Sequence, residues 1–206
     1  MSHDGTAGRT LAATMPAEPA MSDLESRLRA VRLLCTDVDG VLTDGTLIYG
    51  PGPHTKNFHV RDGAAIKWLQ AAGIPVVFIS GLESPATDRR AADLGIEDCI
   101  TGRLDKLPAL QAVCAKHGLG FDQVAHLGDD LHDLPLLRRV GLACCPADAT
   151  GEVQAASHLV LSAAGGRGFF FFFFWTDLPN SCPWLLRGST RSSATTPRAS
   201  CAGPRR

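Results

Sequence analysis

The chain has 206 residues, of which 45% are hydrophobic and 20% charged, and its formal net charge is −1. That is enough chain for one globular domain with a core of its own. The near-neutral balance excludes a global field favouring nucleic acid or an anionic membrane, so any anion must be bound by a local site. There are seven cysteines and no CxxC pair. Cys35, Cys99, Cys114 and Cys144 lie in or beside apolar runs, where a free thiol packs as a small hydrophobe. That usage fits a reducing cytosol. Residues 1–21 lack the apolar stretch of a signal peptide, and no window reaches the roughly 18 apolar residues that span a bilayer. The expectation is a cytoplasmic protein with neither membrane nor nucleic-acid partner.

Residues 1–21, rich in Ala, Thr, Gly and Pro, read as a flexible tail. Ser22 or Asp23 caps a short expected helix running to about Ala30. Val31 to Thr36 is an apolar run of buried-strand type, ending in Asp37-Val38-Asp39-Gly40. Residues 46–49 and 56–60 flank Gly50-Pro51-Gly52-Pro53, which predicts a hairpin over about 46–60. Asp62 precedes a helical stretch, Ala64 to Leu69, that stops at Gly73; Trp68 is expected on its core face. Pro75 to Ile79 is a second buried strand, ending at Ser80-Gly81. Ser84-Pro85 opens a helix in cap-then-proline order, closed near Gly95.

A short strand at Cys99-Ile100 and a helix from about Leu104 to His117 follow. Next comes Val124 to Leu127, a strand ending in Gly128-Asp129-Asp130. A helix to Arg139, a strand from Gly141 to Cys144, a short helix and a strand at Leu159-Val160 complete the series. Strands alternating with helices of this length predict an α/β fold: a Rossmann-like parallel sheet in three layers, with the folded domain over 22–168. Ligands in such sheets bind at the carboxyl ends of strands, where Asp37, Asp39, Ser80, Asp129 and Asp130 fall. From Phe169 the pattern changes. Six phenylalanines lead into a Ser/Thr/Pro/Arg-rich stretch, expected to be an atypical, disordered tail and an aggregation hazard.

A phosphate monoester needs a nucleophile, an acid for the leaving group and charge compensation. Asp37 and Asp39, two apart at a strand end, can project to the same side. One carboxylate attacks phosphorus and the other protonates the departing oxygen. Gly40 permits a sharp exit with close backbone approach. Paired acids repel a phosphate, so a cation is required, and oxygen ligands beside a phosphate favour Mg²⁺. Asp129 supplies the remaining carboxylate, with Asp130 and Asp133 nearby. Lys106 offers positive charge, and Ser80 with adjacent backbone N–H groups offers hydrogen bonds to phosphoryl oxygens. His126, inside a strand, is expected to be a buried, hydrogen-bonded histidine.

These residues carry a family resemblance. The chain resembles phosphatases of the haloacid dehalogenase superfamily: Asp37 to Gly45 matches the first motif, Ser80 the second, Lys106 the third and Gly128 to Asp133 the fourth. The segments Lys56 to Gly63, Asp105-Lys106-Leu107 and Gly165-Gly166-Arg167-Gly168 resemble 3-deoxy-D-manno-octulosonate 8-phosphate phosphatases, which act in lipopolysaccharide synthesis. The likeness spans about Val31 to Gly168 and implies a capless fold with a β-hairpin insertion. It also implies roles. Asp37 would be nucleophile and Mg²⁺ ligand; Asp39 would be acid/base, metal ligand through its carbonyl and a substrate contact; Asp129 would complete the ligands. Ser80 and Lys106 would serve the phosphoryl group. His59, Val60, Arg61, Asp62, Gly63, Lys67 and Arg90 would contact the substrate. Members form homotetramers in which the hairpin covers a neighbour's site.

Two departures stand out. Family members carry a basic residue after Ser80-Gly81, whereas Leu82 cannot pair with a substrate carboxylate. Relatives also continue past Gly168 with a helical tail that Phe169 onward replaces. Two alternatives therefore stand beside the leading expectation. One is the same chemistry on another acidic sugar phosphate, such as a nonulosonate 9-phosphate. The other is a catalytically weak, phosphatase-like assembly module, against which the intact Asp37, Asp39, Lys106 and Asp129 set argues.

Overall fold

The computed structural model describes residues 21–168 and residue 170. The expected tails therefore lie outside the described residues, apart from Met21 and Phe170. Four-residue apolar runs build the centre of the sheet: β1 (Leu33–Thr36), β2 (Val76–Ile79), β4 (Val124–Leu127) and β5 (Leu142–Cys145) are buried throughout. Continuous burial is what a parallel strand covered on both faces demands. With the two-residue strands β3 (Cys99–Ile100) and β6 (Leu159–Val160) they form one sheet in the order β3-β2-β1-β4-β5-β6. Every neighbouring pair is parallel.

The pleat splits the core in two. Leu34, Phe78, Ala125 and Leu142 face one apolar cluster together with residues of α1 (Met21–Ala30), α2 (Val60–Ala71) and α3 (Pro85–Leu94). Leu33, Cys35, Val77, Ile79 and Ala143 face the other, with residues of α4 (Leu107–His117), α5 (Leu134–Leu137) and α6 (Gly151–Ala156). The result is the three-layer α/β architecture, with β1 at its centre and the β1/β4 boundary as the point where strand order reverses.

Three expectations need adjustment. The hairpin is reduced to one antiparallel bridge, in which Ile48 and Thr55 exchange both backbone hydrogen bonds. Val60 opens α2 instead of ending a strand, because His59 caps the helix: its Nδ1 accepts from the Arg61 N–H at 3.2 Å. Trp68 is 42% exposed and is not core. The buried face of α2 is Asp62, Gly63, Ala65, Ile66 and Leu69. Trp68 sits two positions from Ile66, about 200° round the helix, on the opposite side. Cys35, Cys114 and Cys144 are buried as free thiols, and Cys99 is half-buried. Phe170 is wholly buried in the α2 side of the core, and its N–H donates to Asp62 Oδ1 at 2.8 Å. No helix among the described residues is long and apolar enough to cross a membrane.

Candidate active site

Asp37 is the first residue past β1, and its N–H still pairs with the Leu127 carbonyl at 2.9 Å. The chain then turns: the N–H groups of Leu42 and Thr43 both return to the Val38 carbonyl. Gly40 adopts φ 86°, and a Cβ there would coincide with the Asp129 carboxylate. Only glycine lets the β1 loop and the β4 loop approach this closely. Gly165 packs the same way from the far side, where a Cβ would collide with the Gly40 carbonyl. Asp37, Asp39, Lys106 and Asp129, together with Leu47, Leu82 and Leu104, line one cavity of about 300 Å³.

Lys106 is the pivot of the charges. Its Nζ lies 2.9 Å from Asp37 Oδ1 and donates to Asp133 Oδ1 at 2.8 Å, with the lysine side chain 2% exposed. Burial would lower its pKa, but Asp37 and Asp133 together drive it upward. Asp133 is held from three sides: His126 Nε2 stands 2.9 Å from the same Oδ1, and the Asp129 N–H donates to Oδ2 at 3.3 Å. Burial raises Asp133, yet the hydrogen bond and charge of His126, and then Lys106, more than reverse it and hold the carboxyl at about 2. His126 is thus the buried, hydrogen-bonded residue expected from sequence.

Asp37 and Asp129, which also line the cavity, shift the other way from Asp133. Burial, then Asp133, pushes Asp37 up to about 6 against the opposing pull of Lys106. Burial, then Asp37 and Asp133, pushes Asp129 up to about 8. Asp129 Oδ1 is buried without a hydrogen-bond partner. Carboxylate oxygens of Asp37, Asp129 and Asp133 lie within 4.8 Å of one another. Asp133 is already committed to Lys106, His126 and a backbone N–H. Asp37 and Asp129 are left as a pair short of positive charge, with hard oxygen donors only. That donor set fits a small divalent cation such as Mg²⁺.

Asp39 is gripped by a residue to which the sequence reading assigned no role, although it heads the Lys56 to Gly63 segment. Lys56 Nζ stands 2.8 Å from each Asp39 oxygen and donates to Thr87 Oγ1 at 3.1 Å. Ser80 Oγ lies 3.4 Å from Asp39 Oδ2 and 3.3 Å from the Leu82 N–H that donates to it. Lys56 falls in a run read as a hairpin strand, and its spacing carries no sign of burial.

The remaining candidates gather elsewhere, along α2 and on the facing part of α3, and none lines the cavity over Asp37. Val60, Arg61 and Lys67 are exposed and His59 half-buried, while Asp62 and Gly63 are buried. Arg90 packs over Gly63, where a Cβ would meet its guanidinium, donates to the His59 carbonyl at 3.2 Å and lies 5.5 Å from the Phe58 ring centre. Arg90 therefore ties this segment to α3. Arg89 pairs with Asp93 on the surface, as its position suggests.

An acid pair after the central parallel strand, a buried lysine and a third acid from the adjacent strand make an aspartate-based phosphotransferase site. Residues 98–169 match the family model of haloacid dehalogenase-like hydrolases. The chain is 43% identical over 146 residues to 3-deoxy-D-manno-octulosonate 8-phosphate phosphatase of Haemophilus influenzae, covering 70% of this chain and 81% of that protein. The enzyme of that name from Moraxella catarrhalis, solved with magnesium, phosphate and 3-deoxy-D-manno-octulosonate, superposes with TM-score 0.74 at 33% identity, over 82% of this chain and 93% of that one. The Yersinia pestis phosphatase of the same name superposes with TM-score 0.72 at 36% identity, over 81% and 86% of the two chains. The chain belongs to the haloacid dehalogenase superfamily, in its family of 3-deoxy-D-manno-octulosonate 8-phosphate phosphatases.

Proposed function

We propose that the chain hydrolyses 3-deoxy-D-manno-octulosonate 8-phosphate to the free sugar acid and phosphate, as a Mg²⁺-dependent phosphoric monoester hydrolase of lipopolysaccharide synthesis. The observation that carries this reading is the Asp37–Lys106–Asp133 chain of ion pairs beside the unpartnered Asp129 carboxylate. It leaves Asp37 lining the cavity beside Asp129, the two acids sharing the single lysine Lys106.

Asp37, Asp129 and the Asp39 carbonyl would hold Mg²⁺, which would neutralise the carboxylates and the phosphoryl oxygens of the ester. In the first step an Asp37 oxygen bonds to phosphorus. The P–O bond to the sugar breaks with its electron pair going to the sugar oxygen, which takes a proton from Asp39. In the second step a water oxygen bonds to phosphorus, its proton goes to Asp39, and the bond to Asp37 breaks. Lys106 and Ser80 compensate charge on the phosphoryl oxygens. His59, Val60, Arg61 and Lys67 contact the sugar acid, while Asp62, Gly63 and Arg90 hold that segment in shape. In this reading the protein is a cytoplasmic homotetramer with the 46–60 segment laid over a neighbouring site.

The test is phosphate release from 3-deoxy-D-manno-octulosonate 8-phosphate with and without Mg²⁺, beside Asp37→Asn. Metal-dependent release that disappears in the variant supports mechanism and substrate. Release only from another sugar phosphate, such as a nonulosonate 9-phosphate, keeps the mechanism and overturns the substrate.

A further inference from the structure

We infer that Lys56 is a positioning residue for leaving-group protonation, acting through Asp39; this rests on the reading of Asp39 given above. The Lys56 side chain is 0% exposed, whereas the Asp39 side chain it grips is 25% exposed. With Nζ 2.8 Å from both Asp39 oxygens, the ammonium fixes the carboxylate plane and leaves the acid open toward the cavity. Thr87 Oγ1 accepts a further Lys56 hydrogen bond at 3.1 Å and is itself fully buried.

Three separate segments thus take part: Lys56 and Ser80 reach the Asp39 carboxylate directly, and Thr87 holds Lys56. Lys56 follows Thr55, which closes the Ile48 bridge. Thr87 lies in the first turn of α3, and Ser80 is the first residue past β2. A stability role explains this poorly, because a buried ion pair is generally matched or bettered by apolar side chains of similar volume. What an apolar side chain cannot do is hold a carboxylate at a set angle. Lys56 exchanges no proton in either chemical step. It keeps the Asp39 carboxyl aimed at the sugar oxygen, where misalignment is costly in rate.

The experiment compares Lys56→Met on two esters: the sugar-acid 8-phosphate, whose alkoxide leaving group needs a proton, and p-nitrophenyl phosphate, whose phenolate does not. The expected result is a kcat loss on the order of 10²-fold on the sugar ester and only a few-fold on the nitrophenyl ester. Adding Lys56→Met to Asp39→Asn should cost nothing further, since both act on one proton transfer. Thr87→Val, which keeps the shape and removes the hydroxyl, should show a smaller loss with the same leaving-group bias, and it carries the test should Lys56→Met not fold. Equal losses on both esters, additive losses in the double variant, or full rates in Lys56→Met overturn the inference. Asp37→Asn should silence both esters; activity surviving there overturns the underlying phosphatase reading instead.

Discussion

Asp133 Oδ1 lies 2.8 Å from Lys106 Nζ, and both side chains are at most 2% exposed. Neither residue is free to relax into water if the other is lost. The same Asp133 oxygen also faces His126 Nε2 at 2.9 Å. One buried carboxylate therefore anchors the cation that pairs with Asp37.

Asp133→Asn should destabilise the fold by about 3–5 kcal/mol, the usual cost of removing one member of a buried ion pair. Guanidinium unfolding checks this, and a midpoint equal to the parent's would contradict it. The pH dependence has a definite sign. Asp133 is held at about 2, below the ordinary carboxylate value. Its contribution is therefore complete above the ordinary carboxylate range and drains away as pH falls toward 2. The variant should lack this acid-side loss.

Mg²⁺ affinity should rise with pH between about 6 and 8. Asp37 at about 6 and Asp129 at about 8 must both give up protons before they bind a cation. Binding thus releases protons, and affinity grows up to about tenfold per pH unit for each proton displaced. Calorimetry in buffers of different ionisation enthalpy reads the proton count directly. An affinity that stays flat across this range would rule the coupling out.

Gly40→Ala should abolish tight Mg²⁺ binding while leaving a folded protein. The added methyl takes the place of the Asp129 carboxylate, and φ 86° adds about 1–2 kcal/mol of backbone strain. Circular dichroism together with metal titration separates the two effects. Metal affinity within a factor of a few of the parent's would show that Asp129 is not a ligand.

Leu82→Arg should raise kcat/KM for carboxylated sugar phosphates by about tenfold or more, the worth of one charge-assisted hydrogen bond. Leu82 lines the cavity with Leu47 and Leu104, and among the described residues Lys106 is the one lysine or arginine lining it. Neutral phosphate esters should gain nothing. A gain common to acidic and neutral esters would mean that Leu82 acts on the shape of the cavity and not on its charge.

Much of this arrangement was legible in the sequence, for identifiable reasons. Asp37, Ser80 and Asp129 each come just after a short, mostly apolar run, the kind of run a parallel sheet buried on both faces writes. Lys106 precedes Pro108 and a helical pattern, so its place at a helix start was visible too. Trp68 was misread because Ala64, Ala65, Ile66 and Leu69 make the segment look apolar all round, and the direction of its buried face is set by tertiary contacts. Lys56 was quoted only as part of a segment, and its role was missed for a related reason. Its partners Asp39 and Thr87 lie 17 and 31 residues away, beyond any local periodicity. The one-bridge hairpin follows from Gly50-Pro51-Gly52-Pro53, whose prolines lack the N–H groups that a longer ladder needs.

The parallel pairing of β1 with β4 has a bearing on how the molecule comes together. Asp37 and Asp129 are distant along the chain and meet only when these two strands are in register. A nascent or partly folded chain accordingly holds no cation trap, and mis-registry by one residue would turn both acids away from each other. Cation uptake becomes a readout of completed topology: added Mg²⁺ draws the folding equilibrium toward the native pairing by mass action. Loop closure on this scale is entropically slow to achieve, so the appearance of metal affinity during refolding should coincide with the last, rate-limiting phase.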